Sequence, residues 1–277
     1  MFKPLKELNR MTPYLETKRT YIYLLEDGSI ALRFKHLSDY DKKMFVKKYE
    51  YAKGIDEIKG LIIPFDILET EKGFAAYIEK NIYEGLDRDS YMAFADYYNA
   101  HHEITLDKIS QYIYNCAEVA NQATKAGIVI PDMPTGGNVL YNPESDDALF
   151  LDYHHMQVGD IPAEAVNSFV ASDPILYTPK YSSRDMWKEE LNSYMIAIRY
   201  FYYSTKLSIP RNLANGSELD DLIYHAGAKD SPLGDYLKIV YDQNKKNEDI
   251  SEVITEMNNN YVISEYKTSQ SRSFIKK

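Results

Sequence analysis

Three oxygen-bearing side chains stand out by type and spacing. The stretch "GIVIPDMPTGGNVLYN", residues 127–142, holds Asp132 and Asn138 six positions apart between apolar runs, and "ALFLDYHHMQV", residues 148–158, ends an apolar run on Asp152. Hard oxygen donors of this kind suit Mg²⁺, which takes one or two protein oxygens together with phosphate and water. With a carboxylate placed to accept a hydroxyl proton, they would meet the needs of phosphoryl transfer, where the protein's work is positioning and charge neutralisation. Each residue also has a plainer reading. An aspartate ahead of proline and a glycine pair commonly starts a turn, and Asn138 serves equally well as a strand-entry residue.

These residues depend on the elements around them. "YIYLLEDGSIALRF" reads as a hairpin closed at Asp27-Gly28, with Ile30, Leu32 and Phe34 on one face of the second strand and Ala31, Arg33 and Lys35 on the other. A helix follows, capped by Ser38, with an expected stripe of Tyr40, Met44, Lys48, Tyr51 and Ile55. "GLIIPFDILET" and "GFAAYIEK" read as two further strands joined at Glu71 to Gly73. Beyond residue 80 the pattern turns helical. One long helix carries Leu106, Ile109, Ile113, Cys116, Ala120 and Ala123 to Gly127, a second carries Trp187, Leu191, Tyr194, Ile198 and Phe201, and shorter helices close the chain. Cys116 sits on an apolar stripe and reads as packing.

Composition narrows the classes. The 277 residues, 44% hydrophobic, suffice for a real core. With 42 acidic against 32 basic residues the net charge is -10, which repels a phosphate backbone and argues against nucleic acid as a partner. One cysteine excludes an intrachain disulfide and a paired-cysteine metal site. No apolar run has the length of a signal-peptide core or a membrane span, so the expectation is a soluble, cytoplasmic protein with no membrane partner.

A strand-rich first third followed by a helical remainder with short strands in the middle resembles the protein-kinase fold. The resemblance runs from about Leu5 to about Asn260 and is strongest over residues 127–158. "PDMPTGGN" stands where the family has its catalytic loop, H-R-D-L-x-x-x-N, and Asp152-Tyr153-His154 stands for D-F-G. "IALR" lies where V-A-I-K would lie, with Ala31 matching the family alanine, and Glu50 falls on the next helix. The resemblance implies an α+β, bilobal chain: a small antiparallel lobe over residues 1–80, a mostly helical lobe over 81–264, and a mobile tail over 265–277. It further implies Asp132 as catalytic base, Asn138 and Asp152 as Mg²⁺ ligands, and Arg33 or Lys35 as the ATP phosphate anchor oriented by Glu50. The hinge, with Glu79 and Asn81, would hold adenine through backbone groups.

The departures are chemical. "YLETKRTYIYLL" has no glycine where a glycine-rich loop would cover the phosphates, leaving Lys18 and Arg19 to bind them by side chains against the repulsion of Glu16. Arg33 stands for the strand lysine. At the usual spacing from Asn138, Met133 falls on the base position, whereas Asp132 requires a one-residue extension absorbed at Gly136-Gly137. Asn192 replaces a buried aspartate that begins a later helix of the family. Arg33, Lys35 and Glu50 also read as solvated charges, and the His154-His155 pair reads as structural, since neighbours on a strand face opposite ways. Two functions are therefore implied: a divergent ATP- and Mg²⁺-dependent phosphotransferase, similar to bacterial or phage kinases of eukaryotic type, or a pseudokinase that binds a regulated partner with little or no nucleotide. A third use of the cleft, for another ligand, remains open, and a protein substrate is the natural partner of the first.

Overall fold

The computed structural model describes residues 8, 11–71, 73–81, 92–100, 104–131, 133, 138–163, 191–192, 195–196, 199, 202–203, 215–225, 234 and 238. The expected helices from Gly234 onward, the expected tail, Ile82, Trp187, Gly136-Gly137 and Asp132 itself lie outside them or are described only at single positions.

Five strands open the chain: β1 (Leu15–Glu16), β2 (Thr20–Leu24), β3 (Ile30–Phe34), β4 (Asp66–Thr70) and β5 (Gly73–Glu79), with α1 (Asp39–Ala52) between β3 and β4. They form one antiparallel sheet in the order β1-β2-β3-β5-β4. The β2–β3 turn closes as the sequence predicts. Gly28 adopts φ 83°, and the Asp27 carboxylate accepts hydrogen bonds from the Ser29 amide and hydroxyl. Ser38 caps α1 in a reciprocal pair with Asp41.

The face that α1 buries differs from the expected stripe. Phe45, Lys48 and Ala52 are buried, while Tyr40 is exposed. The helix is turned so that Phe45 enters an aromatic group of Phe34, Phe74 and Tyr77, with ring centroids 4.7–5.5 Å away. Ile30, Leu32 and Phe34 of β3 therefore face α1. Ala31 faces the other way, into a group with Leu8, Tyr23, Leu68, Ala76 and Ile78.

The second lobe begins with β6 (Met92–Ala93) and α2 (Phe94–Ala100), followed by α3 (Leu106–Lys125). Ile109, Ile113, Cys116, Ala120 and Ala123 are all buried, as the apolar spacing predicts. Next come β7 (Ile128–Val129), the hairpin β8 (Val139–Tyr141) and β9 (Ala148–Phe150), and a 3-10 turn over Tyr153–His155. β10 (Gln157–Val158) pairs back on β7, and α4 (Leu219–His225) is the last element described. Among the described residues no helix is long and apolar enough to cross a membrane.

The lobes are joined by polar contacts inside an apolar surround. The Lys48 ammonium donates to the His154 carbonyl at 2.6 Å, and the Tyr153 hydroxyl donates back to the Lys48 carbonyl at 3.1 Å. The His154 ring lies edge-on to Phe34, with centroids 4.7 Å apart. At the end of α1 the Tyr51 hydroxyl donates to the Ala126 carbonyl, and its ring crosses Gly127 and Gly159. Both glycines have positive φ, and a Cβ on either would come within 2.6 Å of Tyr51, so only glycine admits the ring. The loop after α1 adds backbone pairing, from the Phe150 amide to the Gly60 carbonyl and from the Ile62 amide to the Phe150 carbonyl.

Replacing Lys48 by alanine strands the buried His154 carbonyl and opens a void. The expected loss is about 2–4 kcal/mol, a fall of roughly 5–15 °C in melting temperature, with Lys48→Met intermediate. Thermal denaturation of the three proteins checks this, and an unchanged midpoint for Lys48→Ala would show the joint to be energetically idle.

Candidate functional site

A short hairpin brings Asn138 and Asp152 together. β8 and β9 pair Val139 with Phe150, and the Leu151 amide then donates to the Asn138 carbonyl at 2.9 Å. One further residue leads to Asp152. The fourteen-residue spacing between Asn138 and Asp152 is thus the two arms of a hairpin plus its turn. Both side chains line a small cavity of about 10 Å³ with Pro131, Met133, Leu151 and His155.

Asp152 is held in the left-handed region, φ 63° and ψ 46°, where a non-glycine residue is uncommon and aspartate is among the most tolerated. That conformation turns the chain sharply into the 3-10 turn, which sends Tyr153 under α1 and buries His154. The His155 Nδ1 lies 4.0 Å from the Asp152 carboxylate. Burial, together with Arg19 and Lys48, lowers the His155 pKa to about 4, so the imidazole is neutral and the contact is no ion pair. As donors for a cation, Asn138 and Asp152 supply hard oxygen and fit Mg²⁺ chemistry. No group of three or more histidine, cysteine, aspartate or glutamate side chains gathers as a metal cage among the described residues.

β7 and the residue after it are anchored by Asn192. Its Oδ1 accepts from the Ile130 amide at 2.7 Å, and its Nδ2 donates to the Ile128 carbonyl at 2.8 Å and to the Thr124 hydroxyl at 2.9 Å. The partners dictate the amide's orientation: Ile130 offers only a donor and Ile128 only an acceptor. Arg199, also buried, donates to the Met133 carbonyl. Met133 is fully buried, and its thioether has no basicity to offer a hydroxyl proton.

The expected phosphate anchors do not converge on Asn138 and Asp152. Glu50 is 55% exposed and pairs with Lys53 one turn along α1. Lys35 pairs with Glu16 at 2.5 Å and donates to the Thr17 carbonyl. Arg33 and Ala31 share the sheet face turned away from α1. The reason is the strand's period of two: once Ile30, Leu32 and Phe34 meet Phe45, Ala31, Arg33 and Lys35 must point to the opposite face of the sheet, where Ala31 is buried in its own apolar group. The family's V-A-I-K reading of "IALR" is therefore one residue out of phase with the observed face. The buried cation of this region is Lys48, which sequence reading placed on the helix stripe without a role; its three- and four-residue spacing from Phe45 and Ala52 was the available signal.

At the β1–β2 turn, the Thr17 hydroxyl accepts from the Arg19 and Thr20 amides. Amides that a glycine-rich loop would turn toward phosphate are thus already bonded within the turn. Lys18 and Arg19 instead line a cavity of about 650 Å³ shared with Phe34, Lys35, His154 and His155.

Glu79, the last residue of β5, pairs with Ile30 and so shares the α1-facing side of the sheet. Its side chain is 6% exposed and its Oε1 has no hydrogen-bond partner. Burial first, and then the charge of Asp152, push its pKa up to about 8. The hinge expectation concerned its backbone; the structure adds a buried acid whose proton affinity is raised by burial and by the charge of Asp152. Asn81, two residues on, is also buried and lines a separate cavity of about 990 Å³ with Ile58, Lys80, Asn115, Val119 and Leu149.

No family model matches the sequence, and no curated protein matches it. Among solved structures, the chain is similar to the autoinhibited serine kinase domain of the giant muscle protein titin, with a TM-score of 0.63 and 11% identity, covering 96% of this chain and 85% of that one. At that identity the likeness speaks for architecture alone: the chain has a protein-kinase-like fold, a mixed α/β arrangement with an antiparallel sheet in its first lobe and helices beyond it.

Two outcomes follow. Asn192→Asp restores the residue type expected from the family yet places a carboxylate oxygen against the Ile128 carbonyl, so it should cost about 2–3 kcal/mol in urea denaturation. For Glu79, the folded state holds a proton that the unfolded chain has lost between its ordinary pKa of 4.5 and about 8. Its contribution to stability is complete below the lower value and fades as pH rises through the upper one. Melting temperature should therefore fall more steeply between pH 5 and about pH 8 in the wild type than in Glu79→Gln.

Proposed function

We propose that this chain is a divergent ATP- and Mg²⁺-dependent phosphotransferase of protein-kinase type. The observation that carries the reading is the placement of Asn138 and Asp152 on one cavity by the β8–β9 ladder, with Ile130 upstream of it bonded to Asn192. In this reading Asn138 and Asp152 hold Mg²⁺, whose charge offsets that of the phosphates. Asp132 accepts the proton of an acceptor hydroxyl while the hydroxyl oxygen bonds to the γ-phosphorus and the bond to the ADP oxygen breaks. Asn192 and Arg199 keep the loop carbonyls and amides in place. Lys18 and Arg19, over the cavity at the β1–β2 turn, supply side-chain contacts to phosphate in place of backbone amides. The nucleotide lies between the lobes, and the acceptor is a protein.

A specific observation favours the second reading, a pseudokinase that acts as a binding module: the β3 positions facing α1 are all apolar. A thermal-shift titration separates the two. The phosphotransferase reading expects ATP with Mg²⁺ to raise the melting temperature, by about 2.7 kcal/mol of stabilisation at a hundredfold excess over Kd. Asp152→Asn should abolish the shift, and Asp132→Ala should keep the shift but lose phosphate transfer. No shift at millimolar nucleotide would leave the binding-module reading in its place.

A further inference from the structure

We propose that the notch where β3 leaves the first-lobe sheet is a docking site for an acidic segment of a partner protein. The inference uses none of the groups assigned to Mg²⁺ or phosphate, so it stands under either functional reading.

Positive charge is unevenly spread along the chain. Residues 1–80 carry 15 basic against 13 acidic side chains, whereas residues 81–277 carry 17 against 29. The acidic excess of the whole chain therefore belongs to the sequence after the first lobe. Within that lobe β3 ends at Phe34 beside the start of β5, and the chain turns from there into α1. A cavity of about 660 Å³ opens at this corner. The charged residues that line it are Arg33, Lys35 and Lys42, with His36 beside them, and among the described residues no acidic side chain lines it. Phe34 and Phe74 add apolar surface. Three like charges in one recess raise the local potential and draw carboxylates toward it.

The pairings these cations already make are weak ones. Lys35 meets Glu16 at 2.5 Å and Lys42 meets Asp39 at 3.1 Å, but the side chains of Glu16 and Asp39 are 59% and 91% exposed. Ion pairs to such exposed acids contribute little, so a partner's carboxylates can replace them at small cost. The cavity that holds Lys18 and Arg19 shares Phe34, Lys35 and His36 with the notch, so the positive surface continues from one recess into the next. Asp41, the acid that lines this second recess, is occupied by the Ser38 amide and hydroxyl. Two adjoining recesses suit an extended peptide better than a single small anion. A nucleic acid is disfavoured, because its unbroken phosphate charge would also meet the acidic remainder of the chain.

The test uses the full chain without nucleotide and follows fluorescence anisotropy of a labelled, glutamate-rich peptide containing one leucine. The wild type should bind it, with affinity falling as sodium chloride is raised, and should not bind the same peptide with glutamine for every glutamate. Lys42→Glu should weaken binding roughly tenfold or more. Lys125→Glu, the same change of charge on the second lobe, should leave it unaltered. Lys42→Gln should weaken binding by a smaller factor, which keeps the test in force if melting curves show that Lys42→Glu does not fold. Equal affinity for the two peptides, or equal weakening by Lys125→Glu and Lys42→Glu, would overturn the inference. So would a poly-dT oligonucleotide that binds more tightly than the peptide, or a wild-type dimer in sedimentation that Lys42→Glu dissolves, which would put a second copy of the chain in the partner's place. None of these results involves ATP, whose melting shift judges the phosphotransferase reading separately.

Discussion

A buried lysine bonded to a main-chain carbonyl organises this molecule. Lys48 comes from the helix of the first lobe and ends on the His154 carbonyl of the second, while Tyr153 returns a hydrogen bond to the Lys48 carbonyl. Burying an ammonium group is unfavourable unless its hydrogen-bonding needs are met, so this pair tolerates little displacement of α1 relative to the turn after Asp152. Phe34 and Phe45 close around the His154 ring and exclude water from the contact. The left-handed backbone of Asp152 follows from the same constraint, because the chain must reverse within one residue to deliver Tyr153 beneath the helix.

That joint bears on the chemistry proposed for the cleft. In the protein-kinase pattern, a strand lysine and a helix glutamate form the ion pair that positions phosphate. Here the helix carries a buried lysine that donates to a backbone carbonyl, and the strand offers apolar side chains to the helix. Connection between helix and the turn after Asp152 is kept, through a lysine bonded to a main-chain carbonyl. A fold can retain its mechanical logic while redistributing its charges, and for that reason the likeness in fold to a serine kinase domain does not carry activity with it.

The second lobe shows the same economy in its loop. Asn192 stands where the family pattern has an aspartate, yet its amide serves both a donor and an acceptor of the loop backbone. Arg199 reaches the Met133 carbonyl from the same helical segment. Ile130 and Met133, between β7 and β8, thus rest on side chains some sixty positions downstream, contacts without local pattern.

What the sequence determined by itself was the set of elements and their order. Alternation defined the β2–β3 hairpin, Asp27-Gly28 its turn, Ser38 the start of α1, and the apolar spacing the buried face of α3, because each of these is decided within a few residues by backbone geometry and local burial. The pairing of Asn138 with Asp152 was legible as motif chemistry. Tertiary structure decided which face of β3 meets α1, and with it the outward direction of Arg33 and Lys35, since a period of two leaves both faces open until a partner such as Phe45 chooses one. It decided that Glu50 lies on the surface and Lys48 inside, through a rotation of α1 that aromatic packing sets. It alone buried Glu79 at the end of β5, because a carboxylate's burial is a property of the folded chain and not of its neighbours in sequence.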